Sequence, residues 1–226
     1  MTSTNNIIET RSLCKSYTLG KEKVPVLKDI SLSVRQGDYL AIMGQSGAGK
    51  STLLNILGCL DRPTSGDYLF KDRSVTTFSP SQLADIRNRE IGFVFQNFNL
   101  LPKLTVAGNV ELPLIYGNIP GRRRKKLVEE TLTRFGLWDR RKHRPNEISG
   151  GQKQRVAIAR ALIKKPSILF ADEPTGNLDS HTTGEILAVF DELSGEGHTI
   201  VVITHENSVA ERARRQVRLV DGRIES

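Results

Sequence analysis

One stretch, Gly44-Gln45-Ser46-Gly47-Ala48-Gly49-Lys50-Ser51, constrains this chain more than any other. It fits the pattern G-x-x-x-x-G-K-[ST] and stands where that pattern works, between a strand and a helix. The continuous apolar run Tyr39-Leu-Ala-Ile-Met43 before it reads as a buried parallel strand. After Lys50 the apolar residues Leu53, Leu54, Ile56, Leu57 and Leu60 follow a helical spacing. The glycines let the backbone curl until several N–H groups point at one phosphate, and the helix N-terminus adds its partial positive charge. Gly44 through Thr52 are therefore the expected nucleotide contacts. Lys50 is expected to bridge the β- and γ-phosphates, and Ser51 to hold Mg²⁺ through its hydroxyl. A ligand-free glycine turn is the alternative, and the flanking strand and helix weigh against it.

A second acidic motif supports the first. Ile168-Leu-Phe-Ala-Asp172-Glu173 ends an apolar run with two carboxylates. In an open α/β sheet, ligands bind beyond the C-terminal ends of the strands. Asp172 can then face the metal held by Ser51, and Glu173 can polarise a water for attack on the γ-phosphate. Alone, such a pair reads as solvated loop charge; beside a phosphate loop, it reads as a site.

The rest of the chain supplies the frame. Ile30-Ser-Leu-Ser-Val34 alternates as a half-buried strand does, and the opening third reads as short strands. Ser167 to Ala171 and Thr199 to Ile203 read as buried strands, so strands interleaved with helices predict a parallel α/β sheet. Residues from about 97 to 162, including Arg123 to Phe135, read as a helical insertion. Near the C-terminus, Asp221-Gly222 between two short runs predicts a hairpin.

Composition sets only bounds. The 226 residues, 38% hydrophobic and 26% charged, suffice for one sizeable core with an inserted subdomain. A net charge of +8 suits nucleic acid, an anionic membrane or a phosphate-rich ligand without choosing among them. Two cysteines, Cys14 and Cys59, make no disulfide framework, so a reducing, cytoplasmic compartment is expected. The first eight residues, Met1 to Ile8, lack a basic stretch followed by an apolar one, so no secretory leader is expected. No apolar run approaches the about 20 residues needed to span a bilayer, so membrane association is expected to come through a partner.

Ile148-Ser149-Gly150-Gly151-Gln152 resembles the LSGGQ signature of ATP-binding cassette (ABC) ATPases, with isoleucine for the usual leucine. Ser149 and Gln152 have capping-box spacing, and the two glycines are expected to leave the helix end bare for an anion. Further motifs follow in the family's order. Tyr17 lies where the family stacks an aromatic on adenine. Gln96, after Ile91-Gly-Phe-Val-Phe95, lies where the family's Q-loop glutamine contacts Mg²⁺ and the transporter. Gly176-Asn-Leu-Asp179 looks like the D-loop, and His205 like the switch histidine that senses the γ-phosphate. Singly, Tyr17 suits packing, Gln96 a strand end and His205 the surface; their joint order carries the resemblance.

The resemblance covers essentially the whole chain. It implies one nucleotide-binding domain over residues 1–226, a P-loop NTPase (RecA-like) core with an N-terminal antiparallel β subdomain and an inserted α-helical subdomain. Residues 1–95 and 163–226 would form the β/RecA-like core, and 96–162 the helical signature subdomain. It implies ATP and Mg²⁺ as ligands. It also implies a head-to-tail dimer with a second copy, in which Ser149 and Gly151 act on the partner's ATP. Leu57-Gly-Cys-Leu-Asp-Arg-Pro-Thr-Ser-Gly66 and Ala171 to Asp179 resemble the MacB and LolD group, with FtsE a near relative. Ending at Ser226, the chain is expected to serve a separate MacB-like permease on the cytoplasmic face of the membrane, with a membrane-fusion adaptor as a further partner. Signalling of the FtsE kind or lipoprotein release of the LolD kind is the alternative to efflux. A nucleic-acid role ranks last, because that class usually joins two cassettes in one chain. Gly108 stands where many relatives carry an acidic residue. The basic runs Arg122 to Lys126 and Arg140 to Arg144 suit a solvated helix face or anionic lipid.

Overall fold

A computed structural model describes residues 5–225. Residues 1–4, part of the start read as lacking a leader, lie outside it. The chain opens on a long hairpin, β1 (Asn6–Leu19) and β2 (Glu22–Arg35), followed by β3 (Tyr39–Met43) and α1 (Lys50–Leu57). Then come β4 (Ser65–Phe70), β5 (Arg73–Ser74), α2 (Pro80–Glu90) and β6 (Ile91–Phe95). A helical segment follows: α3 (Val106–Tyr116), α4 (Gly121–Arg134), two short 3-10 turns and α5 (Gly150–Leu162). The chain returns through β7 (Ile168–Asp172), α6 (Ser180–Gly195), β8 (Ile200–Thr204) and α7 (Asn207–Ala210), and closes on β9 (Arg215–Val220) and β10 (Arg223–Glu225).

Two sheets result. The larger has the order β10-β9-β3-β8-β7-β6, and its pairs are parallel except the terminal β9–β10 hairpin. The smaller is antiparallel, in the order β2-β1-β4-β5. The parallel strands are buried on both faces, which is why they read as unbroken apolar runs. Their side chains still alternate. Tyr39, Ala41, Leu169, Ala171, Ile200 and Val202 join α3, α5 and α6 in one core. Leu40, Ile42, Ile168, Phe170, Val201 and Ile203 join α1 and the antiparallel sheet in the other.

Four elements differ from the reading of the sequence. The first two strands are not short: each runs 14 residues, because they twist around one another through several register shifts. Helix α1 stops at Leu57, before Leu60, which is 48% exposed. Gly58 ends it because Phe93 of β6 packs where a Cβ would stand, and Cys59 turns left-handed with φ 57°. Helix α2 was not expected. Its start was readable nonetheless: Ser79 and Gln82 form a capping box with Pro80 between them. In the helical segment, Gly108 donates its amide to the Thr105 hydroxyl that caps α3. Arg124 is tied to Glu111 at 2.7 Å, while its basic neighbours in α4 are exposed.

Candidate functional site

The loops after β3, β6, β7 and β8 all leave the same edge of the parallel sheet, at the strands' C-terminal ends. A cavity of about 620 Å³ opens there, lined by Gln45, Ser46, Gly47 and Gly49 to Thr52, with Val26, Glu173 and His205. Gly49 has φ 100° and gives α1 no side-chain cap. The first-turn amides of that helix are therefore left for a ligand. A side chain on Gly49 would also stand 2.9 Å from Leu27. Gly44 and Ala48 do not line the cavity. Gly44 packs under the Leu219 carbonyl, and the Ala48 carbonyl accepts from the Gly222 amide at 3.2 Å.

Lys50 is buried, and its Nζ donates to the carbonyls of Gly44 and Gln45 at 2.8 and 2.9 Å. Across the cavity, Glu173 is left-handed with φ 45°, a conformation costing a non-glycine residue about 1 kcal/mol or more. Its amide donates to the Ile203 carbonyl, and its Oε1 meets His205 Nδ1 at 2.9 Å. The turned backbone thus aims the carboxylate away from the sheet and into the cavity. Asp172, one residue earlier, ends β7. Burial pushes its carboxyl up, Glu173 adds to the shift and Lys50 opposes it.

The other expected residues lie elsewhere. Tyr17 is 38% exposed and outside the cavity lining, with its hydroxyl donating to Asp61 at 3.0 Å. Gln96 packs its amide against Gly176. Ser149 and Gln152 make the full capping box at the start of α5. A Cβ on Gly151 would stand 2.4 Å from the Thr182 methyl, so only glycine fits against α6 there. Leu178 likewise covers Gly150. Asp179 caps α6, accepting from the Thr182 amide at 2.9 Å and hydroxyl at 2.7 Å. Within one chain, then, Ser149 to Gln152 adjoin Gly176 to Asp179, and neither segment lines the phosphate-loop cavity.

Residues 27–176 match the model of the ABC transporter family. The chain belongs to the ABC transporter family. It is 55% identical, over 97% of its own length, to the macrolide export ATP-binding/permease protein MacB of Syntrophobacter fumaroxidans, of which it spans 31%. It is 52% identical to the ABC transporter ATP-binding protein YvrO of Bacillus subtilis, covering 96% of this chain and 95% of that one. The ATP-binding cassette MJ0796, solved as a dimer in a post-hydrolysis state with ADP and phosphate, superposes with a TM-score of 0.89 at 43% identity, covering 97% of both chains. The chain thus spans about a third of the MacB relatives it matches. It is an ABC transporter ATPase domain, which binds and hydrolyses ATP.

Several residues of this ABC cassette were missed in the sequence. Val26 rims the ATP cavity from the antiparallel sheet. Asn177 donates to the Gln96 carbonyl at 3.0 Å and to Asn97 at 2.8 Å, tying two motif loops together. Gln154, fully buried, donates to the Pro174 carbonyl at 2.6 Å just past Glu173. The Asp221-Gly222 turn was expected as a hairpin, but its bracing of the phosphate loop is long-range and leaves no local signal. Only Gly222 hints at it, having φ 78° and no room for a Cβ beside the Val26 carbonyl.

Proposed function

We propose that this chain powers export through a MacB-like membrane permease, and that it works on the cytoplasmic face as a head-to-tail dimer. The convergence of Lys50, Ser51, Glu173 and His205 on one cavity carries the reading. The Lys50 ammonium donates to the neutral carbonyls of Gly44 and Gln45. Triphosphate oxygens entering the loop would replace them with charge-assisted bonds, which are about twice as strong. Glu173 accepts a proton from the attacking water, and His205, in contact with it, orients that carboxylate and reaches the γ-phosphate.

Mg²⁺ fits the donor set. The Ser51 hydroxyl lines the cavity, and a carboxyl crowded by burial and a neighbouring acid, as Asp172 is, favours a divalent cation nearby. Ser51, Asp172 and Gln96 would hold it, and it would supply neutralisation of the phosphate charge. Ser149 to Gln152 and Asp179 would complete the site of the second copy, because their positions leave them unused by their own.

For the permease, a groove of about 700 Å³ lies between the sheet edge and the helical segment, walled by Phe93, Phe95, Leu112, Tyr116, Arg87 and Lys164. Tyr116, 69% exposed, supports a protein partner there. Residues 96–162 would then move against 1–95 and 163–226 as the dimer closes. Among the described residues no helix is long and apolar enough to cross a membrane, which suits a separate or attached permease alike. The substitution Lys50→Ala is expected to reduce ATP turnover to background. Undiminished phosphate release would overturn the site.

A further inference from the structure

The segment Leu57 to Gly66 carries part of the family resemblance, yet none of it lines the ATP cavity. Its Asp61 closes a small polar cluster. Lys15, only 9% exposed, donates from Nζ to Asp61 Oδ1 at 2.8 Å and to the Arg62 carbonyl at 2.7 Å. The Tyr17 hydroxyl donates to the other carboxylate oxygen at 3.0 Å. The same Lys15 ammonium stands 4.8 Å from the centre of the Tyr17 ring. A buried lysine with a carboxylate and a carbonyl for partners is a fixed point, unlike an exposed ion pair. Tyr17 is therefore gripped twice, at its hydroxyl and on its ring.

The register says where that ring stands. Tyr17 of β1 is the cross-strand partner of Val24 of β2. Paired residues share a face of the ribbon, which puts the Tyr17 ring beside Val24. Val26, two residues after Val24, rims the phosphate-loop cavity. Val26 is the extra residue of β2 at the register shift between the Ser16–Pro25 and Lys15–Leu27 pairs, so Tyr17 stands on the stretch of ribbon beside a cavity residue. Asp61 reaches it from just beyond α1, the helix that starts in the phosphate loop.

We propose that Asp61 and Lys15 are positioning residues that hold the Tyr17 ring as a platform for the adenine of ATP. This rests on reading Tyr17 as the base-stacking residue. Because α1 links the loop to Asp61, the helix also fixes how far the platform stands from the triphosphate. Breaking the bracket therefore weakens recognition of the base and leaves recognition of the phosphates intact.

Calorimetric titration of the full chain with Mg-ATP, and separately with Mg-tripolyphosphate, tests this. Tyr17→Phe keeps the ring and removes only the tether; Asp61→Asn removes the carboxylate. Each is expected to weaken ATP about 3- to 10-fold, the size of one hydrogen bond. Tripolyphosphate should stay within about 2-fold of wild type, and the double variant should bind ATP no worse than the weaker single one. Selective ATP loss in Tyr17→Ala, with Tyr17→Phe at wild-type affinity, would overturn the bracket while leaving the platform. An unchanged ATP-to-tripolyphosphate ratio in Tyr17→Ala would overturn the platform itself. Equal loss of both ligands in Asp61→Asn would assign Asp61 to the fold of the phosphate loop and overturn its role at the base.

Discussion

Asp61 shows how one side chain serves both stability and ligand geometry. Partial burial pushes its carboxyl up, but bonds from Lys15, the Arg62 amide and Tyr17, with the Lys15 charge, outweigh that and hold it below 3.8. A depressed acid stabilises the fold above its ordinary range and loses that contribution as pH falls through its folded value. Asp61→Asn should therefore unfold at lower urea than wild type at pH 7, and the two midpoints should draw together as the pH falls below the ordinary carboxylate range. A gap that does not narrow at all as the pH is lowered through the acid range in which both proteins still fold would mean that the carboxylate charge is not the stabilising element. The place of Lys50 and Ser51 at the cavity was legible in the sequence, because the loop that carries them is a local pattern. The Lys15–Asp61–Tyr17 cluster was not, since it joins residues 46 and 44 positions apart.

Among the elements, those whose signal is local could be read. Strands β3, β7 and β8 have apolar runs on both faces, and the ends of α5 and the last hairpin have their own capping and turn chemistry. The length of the first hairpin was hidden by its bulges, which break the period of two. Helix α3 shows a further dependence on distant partners. Its Asn109 is fully buried, accepting from the Leu101 amide at 2.7 Å and donating to the Leu101 and Thr105 carbonyls at 3.1 and 3.0 Å. That one amide fixes the loop from Gln96 onto the helical segment. Asn109→Ala leaves buried backbone groups without partners and should cost about 2 kcal/mol. A urea midpoint within error of wild type would show that water or loop rearrangement satisfies them instead.

At the scale of the whole molecule, the proposed head-to-tail dimer makes the cavity at Gly44 to Thr52 half of a site. One chain supplies the phosphate loop, Glu173 and His205, and on a separate surface the capped start of α5 with Asp179 beside it. The order of motifs in the sequence announced both halves. Their separation was expected only through the family resemblance; what no local signal announced is that Leu178, before α6, and Thr182, in its first turn, pack against the two signature glycines. The most direct test is the mass of Glu173→Gln in solution with Mg-ATP, by light scattering. Removing the general base should leave ATP binding intact and stop turnover, so a dimer should accumulate at twice the 25.1 kDa chain mass. A variant that binds ATP and stays at the monomer mass would contradict a site shared between two copies.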